Sequence, residues 1–103
     1  MLQFLENITL ATPKQRKQEL WDVEGILKNR SNEKLKFDLR PLSNNKKAGS
    51  FNTKADKMVF DIKNEYIIVD VKELIDYIKN NHSNVVQLED LLSKLEWNIV
   101  LPK

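Results

Sequence analysis

Two short runs of strand-forming residues, Met58-Val59-Phe60-Asp61-Ile62 and Tyr66-Ile67-Ile68-Val69, are separated only by Lys63-Asn64-Glu65. A gap that short reads as a tight antiparallel hairpin. Apolar residues fill both alternating sets of positions in each run, so both faces of the hairpin are expected to be covered. A hairpin of that kind belongs in the middle of a sheet, and the rest of the chain must supply its cover.

Leu35, Phe37 and Leu39 alternate with Lys36, Asp38 and Arg40, the pattern of a half-buried strand that Pro41 stops. Thr12-Pro13 offers a hydroxyl cap followed by proline at the first helical position. Leu20, Val23, Ile26 and Leu27 then recur at helical spacing, which predicts a helix from Pro13 to about Asn29. Gly25 weakens that helix by about 1 kcal/mol relative to alanine. The polar run Asn29–Glu33 ends it. Residues 1–11 are compatible with a short helix or an extended lead-in. After the hairpin, a helix from Glu73 to Asn80 presents Leu74, Ile75 and Ile78, and Asn80–Asn84 forms a loop. A shorter helix from Gln87 to Leu95 runs through Leu88, Leu91, Leu92 and Leu95, and Trp97–Leu101 closes the chain as a strand before Pro102. The expected class is α+β, a small mixed sheet with a central antiparallel hairpin flanked by helices. The elements run helix, strand, strand, strand, helix, small helix, strand. A strand reached through a helical connection is expected to lie parallel to the one it left.

A chain of 103 residues forms one domain and buries roughly two-thirds of the surface its unfolded form exposes. Its 41% hydrophobic and 31% charged residues are a globular balance. The absence of cysteine excludes disulfides and thiolate metal sites and fits a reducing compartment. Glu6 interrupts the apolar start and no basic segment precedes it, so no signal peptide is read there. No run approaches the ~18 apolar residues of a membrane span, and a cytoplasmic location is expected. The net charge of +2 hides an uneven spread: residues 1–60 carry 12 basic and 7 acidic side chains, residues 61–103 carry 5 and 8. Such a split can steer a polyanion to one face, although a dedicated nucleic-acid binder is usually more basic.

The chemistry of interest is Asp56 with Asp70-Val71-Lys72. Positions 70 and 72 project from one face of a strand. With a three-residue hairpin loop Ile62 faces Tyr66, Asp56 then lies opposite Lys72, and Asp70 is its diagonal neighbour at ~7–8 Å. Two carboxylates from different strands can hold Mg²⁺, which keeps several waters. The metal acidifies one water and neutralises phosphate charge, while the lysine orients or stabilises the attacking species. A loop of even length shifts the pairing by one residue, turns Asp56 to the other face and dissolves the site. Asp70-Val71-Lys72-Glu73 also matches a D-x-x-E capping box, a sufficient reason for an aspartate between a strand and a helix.

Gly49-Ser50-Phe51-Asn52-Thr53-Lys54-Ala55-Asp56, a hydrophobic strand, a short turn and Tyr66-Ile67-Ile68-Val69-Asp70-Val71-Lys72 resemble the PD-(D/E)XK nuclease superfamily, and more narrowly its small phage-type members with a K-A-D strand opener. The resemblance implies a restriction-endonuclease-like core and a Mg²⁺-dependent nuclease that hydrolyses phosphodiester bonds of DNA or RNA. The family's acidic residues map to Asp56 and Asp70, which would ligate the metal, and its catalytic lysine maps to Lys72. Many members place a further glutamate on the first helix, and Glu19 is the candidate here. Ala55 stands where the name motif has proline, and Lys72 sits directly beside a helix start. Small members are often degenerate, so the alternative is a catalytically inactive binding protein on the same scaffold, of phage or mobile-element origin, that contacts nucleic acid or a host protein. A chain this short has little area left to grip a substrate, and a homodimer suits either reading.

Arg40, Lys46, Lys47, Lys54 and Lys57 bracket the loop that leads into the candidate site. With Phe51 they form a candidate nucleic-acid surface, cations along the backbone and a ring for stacking. A solvated loop explains them equally well. His82 is the single histidine and cannot anchor a zinc site. Trp21 and Trp97 read as core or edge packing.

Overall fold

The computed structural model describes residues 1–30, 32–41, 53–81 and 92–103. A 3₁₀ turn (Leu2–Phe4) leads into β1 (Leu5–Leu10), α1 (Pro13–Glu19), β2 (Val23–Leu27), β3 (Leu35–Pro41), β4 (Lys57–Asp61), β5 (Glu65–Asp70), α2 (Val71–Asn81) and β6 (Asn98–Pro102). The six strands form one mixed sheet in chain order, with β3 and β4 parallel and the other neighbours antiparallel. The α+β class and the internal hairpin of β4 and β5 match the sequence reading.

The hairpin is covered on both sides, as its two-sided apolar pattern demands. Met58, Phe60, Ile67 and Val69 turn to one face, where Leu74 of α2, Trp21 and Leu95 complete a buried cluster. Val59 and Ile68 turn to the other, against Leu27, Phe37 and Leu101. Among the described residues that second face is covered by the sheet itself, which curls around it. In a flat sheet β1 and β5 would lie roughly 19 Å apart, four strand spacings. Here the Phe4 ring, just before β1, meets Tyr66 of β5 edge-on at 6.1 Å, and the N-terminal ammonium donates to the Tyr66 hydroxyl at 2.9 Å. Gly25 serves the same curvature: a Cβ there would stand 3.1 Å from the Glu6 carbonyl oxygen and 3.3 Å from the Leu5 Cβ. It faces the irregularity in β1 between Glu6 and Thr9, where Asn7 takes a positive φ of 53°.

Three expectations are corrected. The first helix stops at Glu19 instead of reaching Asn29. Thr12 and Gln15 form a reciprocal capping box at its start, and Leu20 ends it in the left-handed conformation at φ 63°. Val23, Gly25 and Leu27 are buried in alternation, so this stretch is a strand. The last strand is antiparallel to β5, because the connection goes out and back. α2 carries the chain roughly 16 Å away, and the return brings the backbone N–H of Trp97 to the Glu73 carboxylate at 3.0 Å, beside the start of the helix. β6 therefore begins opposite Val69 and ends opposite Glu65. Within the expected helix 87–95, residues 92–94 are helical and Leu95 is buried, but Leu92 is exposed. Gln87, Leu88 and Leu91 lie outside the described residues, as does His82. Residues 1–11 divide between the 3₁₀ turn, β1 and the approach to α1. Among the described residues no helix is long and apolar enough to cross a membrane.

Candidate functional site

The register of the hairpin decides what meets at its open end. Asp61 pairs with Tyr66 and Lys57 with Asp70, and an Ile62 N–H to Glu65 carbonyl bond of 3.1 Å continues that register, so the loop is the two residues Lys63 and Asn64. This is the even-length case, one residue out of step with the pairing that sets Asp56 opposite Lys72. Lys57 takes the place across from Asp70. Its Nζ lies 2.8 Å from Asp70 Oδ1 and 3.8 Å from the ring centre of Trp97. The lysine is only 11% exposed, held between a carboxylate and an indole face.

Asp70 is occupied on both oxygens. Oδ2 accepts the backbone N–H of Glu73 at 3.1 Å, the N-cap that the D-x-x-E pattern proposes. Glu73 does not reach back to complete the box, since its carboxylate accepts from Trp97 instead. Burial pushes the Asp70 carboxyl up. The hydrogen bonds from Lys57 and from the Glu73 N–H, with the charges of Lys57 and Lys72, outweigh that and hold it below the usual aspartate value.

Asp56 stands just before β4, and its Oδ2 accepts the backbone N–H of Lys36 at 2.9 Å. Its own N–H donates to the Lys36 carbonyl and its carbonyl accepts from Val71, so Asp56 ties β3 to the start of α2. Asp56, Asp70 and Lys72 all border one open cleft of about 530 Å³ across the strand ends. The fourth candidate, Glu19, does not line it. Its carboxylate accepts from the Trp21 indole N–H at 3.0 Å and lies 3.9 Å from Lys36 Nζ. Glu19 is the last residue of α1, and the longer helix that aimed it at the site does not form.

Sequence reasoning missed Glu33, Asp76 and Lys79, which also border the cleft. Asp76 and Lys79 follow Lys72 at helical spacing, so the period of α2 carries that signal. Glu33 precedes β3 and has none. The pairing of Lys57 with Asp70 was hidden by the register.

Mg²⁺ would need the oxygens of Asp56 and Asp70 facing one point. Asp70 instead faces an ammonium and a backbone donor, and among the described residues no three His, Cys, Asp or Glu side chains gather around a common centre.

Of the candidate nucleic-acid residues, Arg40 is engaged internally. It donates through Nε to Asp38 Oδ1 at 3.0 Å and through a terminal nitrogen to Oδ2 at 2.7 Å, and Asp38 is buried. Lys57 is engaged as described, Lys54 is exposed, and Lys46, Lys47 and Phe51 lie outside the described residues. Comparison with known proteins adds no relative: no family model, curated protein or solved structure matches the chain.

Proposed function

We propose that this chain is a nuclease-like binding protein, which contacts nucleic acid without cutting it. The observation that carries this reading is the Lys57 ammonium 2.8 Å from Asp70, where a metal-dependent enzyme needs that carboxylate facing its ion. The pair is locked by the Trp97 ring on one side and the helix cap on the other. Nucleic acid is preferred over a host protein as partner because the basic side chains concentrate in the first half of the chain. Strand order follows chain order, so the described part of that half, β1 to β4, is also one side of the sheet. The proposal keeps the restriction-endonuclease-like and phage-type likeness for the run β3, β4, β5, α2, β6.

The cleavage reading, with Asp56 and Asp70 holding Mg²⁺ and Lys72 as catalytic lysine, is favoured by one observation: all three border the same cleft. Incubation with plasmid DNA and with RNA in Mg²⁺ separates the two. The binding reading expects a retarded but intact nucleic acid. Cleavage that Lys72→Ala abolishes would overturn it.

A further inference from the structure

Helix α1 is unusual in burying nothing. None of its seven residues is buried, and none joins either core cluster. It is held by its ends, through the capping box at Thr12 and the left-handed cap at Leu20. A helix so held displays its side chains, and those of Pro13–Glu19 include Lys14, Arg16 and Lys17, all exposed.

Helix stability explains only two of these three cations. The macrodipole favours basic residues in a last turn, which accounts for Arg16 and Lys17, but it opposes a cation in the first turn, where Lys14 stands and no acidic residue is present. A third lysine is brought to the same corner by the backbone. The Lys54 N–H donates to the Glu19 carbonyl at 2.8 Å, and the Thr53 hydroxyl donates to the Leu20 carbonyl at 3.3 Å. Segment 53–54 thus docks on the end of α1 and leaves the Lys54 side chain exposed.

The acids nearby are already satisfied. Glu19 is held by the Trp21 indole and by Lys36, while Asp22 accepts the Leu39 N–H at 2.8 Å and lies 3.8 Å from Arg16. Lys14, Lys17 and Lys54 have no ion pair among the described residues. Among the described residues no exposed aromatic side chain accompanies them there: Trp21 is buried and its face lies under Lys36, 5.1 Å from the ring centre.

We infer that α1 and segment 53–54 form a docking surface for the phosphodiester backbone of a nucleic acid, with Lys14, Lys17 and Lys54 as its phosphate contacts. The inference rests on the binding reading above and assigns it a place away from the cleft. Lysine point charges recognise phosphate and not base, so binding through them is indifferent to sequence and steeply dependent on salt.

The test is fluorescence anisotropy of the full chain with labelled duplex DNA and RNA of mixed sequence. The variant Lys14→Gln/Lys17→Gln/Lys54→Gln is compared with the charge-matched Lys28→Gln/Lys63→Gln/Lys94→Gln, both checked for fold by circular dichroism. Three phosphate contacts change affinity about 40-fold between roughly 50 and 200 mM salt. The first variant is expected to bind at least about tenfold more weakly with a flatter salt slope, the second within about twofold of wild type. Equal losses in both, or none in the first, would overturn the surface while leaving the binding reading intact. If the wild-type chain binds neither probe, both fall. Tighter binding to phosphatidylserine vesicles through the same lysines would make this a lipid-facing surface and overturn the inference.

Discussion

At the β4–β5 corner Lys57 lies 2.8 Å from Asp70 and 3.8 Å from the centre of the Trp97 ring, whereas around α1 Lys14, Lys17 and Lys54 stand in solvent with no ion pair among the described residues. Lysine occurs in both places with opposite consequences. In the corner its charge is consumed by the fold, joining the end of one strand to the cap of a helix and to the returning chain. Around α1 the fold neither needs the charge nor covers it. Charge counted along a sequence is therefore not charge available to a partner, and the difference is set by what lies within a few ångströms of each ammonium.

The contrast breaks most easily at Asp70. Asp70→Ala removes the cap of α2 and leaves Lys57 facing an emptied corner, with an expected loss of about 2–3 kcal/mol in urea unfolding. A loss below about 0.5 kcal/mol would mean that the corner is as dispensable as the surface. Lys57→Met keeps an apolar stem over Trp97 but removes the charge, and about 1 kcal/mol is expected to go with it. A shift in tryptophan emission should accompany that change.

Acid sharpens the same comparison. The Asp70 carboxyl is held below its ordinary value, so folding favours its ionised form. The resulting stability is fully present above the unfolded aspartate value of about 3.9 and is lost as pH falls through the lower folded value. Unfolding curves of Asp70→Asn should lack that part of the acid-side decline. An unchanged profile would locate the decline elsewhere. The smallest effects belong to the exposed lysines: Lys72→Ala, and Lys14→Gln, Lys17→Gln or Lys54→Gln singly, should each stay within about 0.5 kcal/mol of wild type by thermal melting.

The hairpin was legible because strand formers on both faces leave no other arrangement for residues 58–69. Its register was not, since Lys63-Asn64-Glu65 lacks the Asn-Gly signal that fixes a turn. A single residue of slip was enough to put Lys57, in place of Met58, opposite Asp70. The first helix was overextended for a related reason. Val23 and Leu27 are four apart, a spacing that suits a helical face and equally the same side of a strand with Gly25 between them. Leu20 in the left-handed conformation decides between the two, and leucine carries no sequence signal for it. β6 could not be oriented from sequence, because a helical pattern does not say at which end of β5 the chain re-enters the sheet. Asp56, Asp70 and Lys72 border one cleft although the pairing on which the sequence reading made their gathering depend is not the one that forms. The cation that neutralises Asp70 was not legible.

That neutralisation is the central claim, and a divalent-metal titration tests it most directly. Thermal melts of wild type and Asp70→Asn are recorded with and without Mn²⁺ at about 100 times the dissociation constant of a moderate site, where binding would add about 2.7 kcal/mol. For a domain of this size that is a rise of more than about 10 °C. With Lys57 holding Asp70, both proteins should melt at temperatures that Mn²⁺ leaves unchanged. A saturable rise of that size in wild type, absent in Asp70→Asn, would contradict the claim and return Asp70 to the role of metal ligand.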